Sequence, residues 1–136
     1  MEINYLGIFL CALASMIVGS LWYGPLFGKA WMRVIGATEA DAAERKTMQK
    51  KAIPLYIIQF FLTLFQAFVL SQYITGWPDT SEVEHSLWIL GAFVIPTLAA
   101  SAMWNNDTTQ VKLARFSIQA GYYLVTFILF ALILSW

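Results

Sequence analysis

The sequence predicts an all-α integral membrane protein: a bundle of four transmembrane helices, with a short cytoplasmic amphipathic helix between spans one and two. Three observations predict it. The chain is 60% apolar, against roughly 45–50% in soluble domains. Only 12% of its residues are charged, about half the usual share of roughly 25%, and a soluble chain of this length exposes too much surface for so few polar groups. Four stretches, 3–23, 52–74, 86–104 and 116–136, contain no Asp, Glu, Lys, Arg or His. At about 1.5 Å per residue each is long enough to cross a hydrocarbon core of about 30 Å. Barrel strands are shorter, at about 9–11 residues, and alternate in polarity. The spans leave room for one membrane domain, 1–136.

The first span begins behind Met1-Glu2, which carries no Lys or Arg side chain, and its apolar run exceeds the roughly 7–15 residues of a signal-peptide core. It is read as a retained helix. Gly7, Cys11, Ser15 and Gly19 fall four apart on it, a small-residue stripe that lets another backbone approach closely. Cys11 is the only cysteine, so no internal disulfide or multi-cysteine metal site exists, and it reads as a small packing residue.

The span ends in "LWYGPLFGKAW", residues 21–31. Trp22 and Tyr23 suit a membrane interface, where amphipathic rings collect. Gly24-Pro25 is expected to stop the helix. Phe27, Gly28 and Trp31 then form an in-plane segment, from which Lys29 and Arg33 reach headgroups. Were a vestibule present, this segment would be its lid, hinged at Gly24 and Gly28.

The following loop has Thr38 with Asp41 three residues on, an acidic variant of the capping box. Glu39, Asp41 and Glu44 precede Arg45, Lys46, Lys50 and Lys51, an order that suits the helix dipole. A helix over about 38–51 follows. Pro54 lies in the first turns of span two, where proline is tolerated.

Loop one carries Lys29, Arg33, Arg45, Lys46, Lys50 and Lys51, loop three carries Lys112 and Arg115, and loop two carries no base. The Lys/Arg bias therefore places loops one and three in the cytoplasm and both termini outside. On that topology Gln59, Thr63, Ser101, Asn105 and Gln119 lie in the cytoplasmic half, with Gln66 and Thr97 near mid-membrane. Tyr56, Gln59, Thr63 and Gln66 share a helical face, and Gln119, Tyr123 and Thr126 recur on the fourth span beside Tyr122. An unsatisfied amide in hydrocarbon costs several kcal/mol, so these groups should face inward. Two roles fit. They either hydrogen-bond between helices, at about 0.6 kcal/mol each, or line a cytoplasm-facing polar vestibule with Tyr123. Pro96 near the middle of span three frees a carbonyl there and marks a kink or gate. A faint echo of LG-x-F, at 6–9 and 90–93, would relate spans one and two to three and four.

The net charge is +0, which gives no footprint for nucleic acid. No phosphate loop, nucleophile elbow or His-x-x-His pattern is present, and no ionisable group lies at depth. No catalytic residue, metal or cofactor is expected, and the chain is not read as an enzyme. His85, beside Glu82 and Glu84, is read as part of a solvated loop. The expected partners are the lipid bilayer and a second copy or larger membrane complex docked on the Gly7–Gly19 stripe, making a structural or interaction protein. The alternative is a small transporter or channel.

Residues 19–32, "GSLWYGPLFGKAWM", then Gly36-Ala37-Thr38-Glu39, then "QAGYYLV" at 119–125 and the terminal Trp136 together resemble the DUF1761 family, small four-span bacterial and fungal membrane proteins of unknown function. The family often has Ser where Gly24 stands and Asn where Gln119 stands. The resemblance implies the four-helix fold and a bacterial cytoplasmic membrane location. It carries over no catalytic or binding residue.

Overall fold

The computed structural model describes residues 2–136, and among these it is helical with no strand. Four helical segments, Tyr5–Leu26, Ala42–Gly76, Glu82–Met103 and Thr109–Leu134, are long and apolar enough to cross a membrane. Their surfaces agree with that composition: Leu6, Ile17, Phe61, Phe65, Trp88 and Phe93 are all exposed, a display of bare apolar side chains that water would not support.

Helix α1 is Tyr5–Leu21, capped by Asn4, whose side chain accepts from Gly7 N at 2.7 Å. The helix ends at Gly24-Pro25 as expected, within two residues: α1 gives way after Leu21, and Phe27 leaves helical geometry at φ −121°, ψ 13°. A single π turn covers Trp22–Leu26, closed by Phe27 N donating to the Trp22 carbonyl at 2.8 Å. Pro25 has no N–H to give to the preceding turn, and the widened turn absorbs the missing bond. Helix α2, Gly28–Val34, follows at once. It ends in a Schellman arrangement: Gly36 N donates to Arg33 O, Ala37 N donates to Met32 O, and Gly36 takes φ +73°. A side chain at position 36 would be strained there.

The expected loop helix exists, but not as a separate element. Helix α3 runs unbroken over Ala42–Gly76. Its N-cap is Asp41, not Thr38: the Asp41 carboxylate accepts from Glu44 N at 2.8 Å and Glu44 accepts from Asp41 N at 3.2 Å. Asp41 with Glu44 satisfies two orphan donors reciprocally, and the longer Glu44 side chain reaches back to the cap N–H as the shorter Asp41 would have had to do for Thr38. Nothing interrupts the helix at Lys51, and Pro54 is carried on an exposed flank.

Helix α4, Glu82–Ile89, starts at the Ser81 cap. A second π turn, Leu90–Val94, leads into α5, Ile95–Met103. Pro96 thus sits at the start of α5, directly after the π turn, in a helical segment that runs on from Glu82 to Met103, and its missing N–H leaves a carbonyl of the preceding turn without a backbone donor. Leu90–Phe93 lies within this π turn while Leu6–Phe9 is ordinary α-helix, so the LG-x-F echo marks no shared structure. Helix α6, Thr109–Leu134, is capped by Thr108.

Helix α1 stands between α3 and α6, and α6 carries α4 and α5 on its other side. Helix α3 touches α4 but makes no extended contact with α5. The core of Ile8, Cys11, Ala67, Leu70, Leu90, Phe127 and Phe130 lies wholly toward the end that holds both termini and the 77–81 turn, here the terminal end. The only buried residues of α3 are Thr63, Ala67, Leu70 and Ser71, so its first half stands clear of the bundle. The molecule is closed at the terminal end and parted between α3 and α5 at the other, the loop-one end.

The small-residue stripe does pack helices, but within one chain. Gly7, Cys11 and Ser15 are buried in the monomer, and Gly19 faces the ring of Tyr122. His85 is also corrected. It is buried on α4, edge-to-face with Tyr73 of α3 at 5.1 Å, because the α4 helix begins at Glu82 and carries it into the α3–α4 contact.

Candidate functional site

Gln59, Gln66 and Tyr73 recur every seven residues on α3 and so share one face. Tyr73 meets His85 of α4, which identifies that face as the one turned toward α4 and α5. Gln59 and Gln66 therefore look into the gap. On α6, Tyr122 is bonded to Ser15 of α1 and Ile118 to Trp22 of the π turn that follows α1. Gln119 and Tyr123 lie one residue further round, about 100° away, and Tyr123 packs against the core. They form the floor of the gap. On α5, Ala102 is buried against α6. Ser101 and Asn105 lie on one flank of it, with Thr97 a turn beyond, and the winding of the helix turns that flank toward α3.

The polar residues picked from the sequence are thus brought to one opening, but they do not enclose a cavity. Two open hollows lie elsewhere on the surface, one lined by Arg33, Asp107 and Arg115, the other by Ser81, Val83 and Trp88. Nor do these residues tie helices together. Thr63 donates to Gln59 O at 2.8 Å and receives the Gln59 amide at 3.3 Å. Thr97 donates to Phe93 O at 2.6 Å, and Asn105 donates to Ser101 O at 3.1 Å. Every one of these bonds stays inside its own helix. The side chains of Gln66, Gln119 and Tyr123 make no hydrogen bond among the described residues, and Thr97 and Ser101 are exposed. The opening therefore keeps unused donors and acceptors, all uncharged.

Bonds between helices come from other residues. The Tyr122 hydroxyl donates to Ser15 O at 3.2 Å and lies 2.8 Å from Ser15 Oγ. The Trp22 indole N–H donates to Ile118 O at 2.8 Å. The Cys11 thiol approaches Phe130 O at 4.0 Å, a weak contact. Around these bonds the rings close up: Trp22 on Phe27 at 4.6 Å, Tyr23 on Trp31 at 4.9 Å, and Tyr23 on Tyr122 at 5.6 Å. Gly121 admits the Trp22 ring, which lies 2.7 Å from where a Cβ would stand.

This clasp corrects one expectation. The 21–31 segment is not a free lid, because Trp22 is bonded to α6 and Tyr23 is wedged between Trp31 and Tyr122. Trp22 and Tyr23 are half-buried against protein, and Lys29 and Arg33 are exposed. The clasp itself escaped the sequence reading. Its only signal was a glycine inside "QAGYY", matched in size to a distant tryptophan. The two segments that carried the family resemblance, 19–32 and 119–125, pack on each other here.

A family model described as a protein of unknown function, DUF1761, matches residues 6–135. No curated protein and no solved structure matches the chain.

Proposed function

The chain belongs to the DUF1761 family, whose description names no activity, and we propose from its own geometry that it is a small membrane carrier with an inward-open groove between α3 and α5. In this reading the four long helices span the bilayer, loops one and three are cytoplasmic, and both termini lie outside, as the distribution of Lys and Arg favours. The groove then faces the cytoplasm and the inner leaflet, and the core around Leu70, Leu90 and Phe130 seals the outer side.

One observation carries the reading. The bundle is parted where Gln59, Gln66, Gln119, Ser101 and Asn105 lie, and closed around the apolar core of Leu70, Leu90 and Phe130. Polar side chains are costly next to lipid, and those of Gln66, Gln119 and Tyr123 have no protein partner to offset that cost. An occupant that offers hydrogen bonds would satisfy them. No charged residue is among the lining set, so the favoured occupant is uncharged. Exposed Leu55 and Leu62, each four residues from Gln59 or Gln66 on α3, suit an apolar portion, which makes the occupant a neutral amphiphile. The reading assigns no catalytic residue.

The test is mass spectrometry of small molecules extracted from protein purified in mild detergent, wild type beside a Gln59→Leu, Gln119→Leu double variant. A neutral amphiphile retained by the wild type and absent from the folded variant supports the reading, and its flux into proteoliposomes then follows. Identical extracts contradict it.

A second reading rests on α3 itself. Its first half has no buried residue, so self-association or docking on a larger complex, first expected at the Gly7–Gly19 stripe, would use this face instead. Crosslinking between copies through Ile57→Cys or Phe61→Cys, in a Cys11→Ser background, distinguishes it from the carrier.

A further inference from the structure

A second polar site lies outside the groove, on the α2 side of α6. Arg33, Val34, Ile35 and Gly36 at the end of α2 face Asp107, Val111 and Arg115 at the start of α6 across an open concavity of about 470 Å³. Arg115 is four-fifths buried on its side chain and holds the site in shape. Its Nη2 donates to Asp107 Oδ2 at 3.0 Å and to Val34 O at 3.4 Å. Val34 O needs this donor, since the Schellman turn at Gly36 satisfies only the carbonyls of Met32 and Arg33. Arg115 Nε is buried with no partner and closed to solvent, so Nη1, which has no partner among the described residues, is the nitrogen left to an occupant. A guanidinium offers five donors in a planar fork, and the protein uses only one of its nitrogens.

Arg33 adds a second guanidinium. It is exposed and makes no ion pair or hydrogen bond among the described residues, where Arg115–Asp107 is the only salt bridge. Two cations face one carboxylate, which leaves the site with one positive charge in excess. Val34, Ile35 and Val111 line the rest with apolar surface. Paired guanidiniums match phosphate oxygens in geometry as well as charge, and the apolar walls accept whatever the phosphate is esterified to.

We propose that this concavity binds the phosphate of an anionic phosphoester, gripped between Arg33 and Arg115, with its ester portion against Val34, Ile35 and Val111. The phosphate can arrive on a phospholipid headgroup or on a soluble phosphoester. Both present the same chemistry to the arginines.

The experiment uses the full chain in lipid nanodiscs and in detergent. Phosphatidylglycerol is compared with phosphatidylcholine for retention by native mass spectrometry, and sn-glycerol 3-phosphate is titrated as the soluble probe. Preferential retention of phosphatidylglycerol, weakened about tenfold by Arg33→Gln, supports the site with a lipid source. Saturable binding of glycerol 3-phosphate with the same sensitivity supports it with a soluble source. Arg33 has no structural partner, so Arg33→Gln should fold. Val111→Glu, which places a carboxylate in the concavity, is the second variant and should abolish binding. Equal retention of both lipids with no binding of glycerol 3-phosphate overturns the proposal, as does binding that neither variant changes.

Discussion

Trp22 occupies the space that a side chain on Gly121 would need. A Cβ at position 121 would lie 2.7 Å from Trp22 Cζ2 and 3.3 Å from Cη2, and the ring cannot swing aside without losing its 2.8 Å bond to Ile118 O. Gly121→Ala is therefore expected to cost about 1–3 kcal/mol by overpacking. Gly24→Ala meets nothing within 4 Å and should change stability by under about 0.5 kcal/mol. Thermal unfolding of the two variants in the same detergent checks the contrast. Equal stabilities would remove the clasp as a structural element.

The Ser15–Tyr122 pair gives a second expectation. Tyr122→Phe leaves the ring in place against Gly19 and removes only the hydroxyl. A double-mutant cycle with Ser15→Ala should yield a coupling of about 0.6 kcal/mol, up to ~1.7, the range for hydrogen bonds between transmembrane helices. Zero coupling would mean that the two hydroxyls are not bonded.

Cys11 has no exposed surface. In the folded protein it should resist N-ethylmaleimide, which crosses membranes, and react fully once denatured. Rapid labelling of the native protein would show that α1 and α6 part near Phe130, and would return the Gly7–Gly19 stripe to the surface where a partner could use it.

The Asp41–Glu44 capping box anchors a helix whose first half has few tertiary contacts. Asp41→Ala should cost about 1 kcal/mol locally and speed amide exchange over residues 42–46, leaving the core around Leu70 unchanged. An exchange pattern equal to wild type would count against a structured helix start in loop one.

How much of this was legible in the sequence follows from which interactions are local. The four long apolar helices are legible from composition alone. That Gln59, Gln66, Gln119, Ser101 and Asn105 meet at one opening was half legible: periodicity gave each face, but only the parting of α3 from α5 joined them. The stripe on α1 was seen correctly as a packing surface. A four-residue spacing says that a backbone can approach and not whose backbone it is; within this chain Ser15 and Gly19 meet Tyr122 of α6. The helix end at Pro25 is legible, but the π turn before it is not, because it depends on a widened hydrogen bond that composition does not encode. Asp41 and Glu44 were within reach of local reading and lost to Thr38, the more conventional cap. The Trp22–Gly121 contact and the burial of His85 are long-range, and no local rule would find them.

The groove between α3 and α5 is the central claim, and cysteine accessibility tests it most directly. In a Cys11→Ser background, Gln59→Cys, Gln119→Cys and Ser101→Cys are compared with Leu70→Cys and Leu90→Cys, using a membrane-impermeant thiol reagent applied separately to each side of sealed vesicles. The account predicts that the first three label from the cytoplasmic side only, and that the last two label from neither. Protection of Gln59→Cys and Gln119→Cys from both sides would mean that the gap is closed and dry, and would contradict the account.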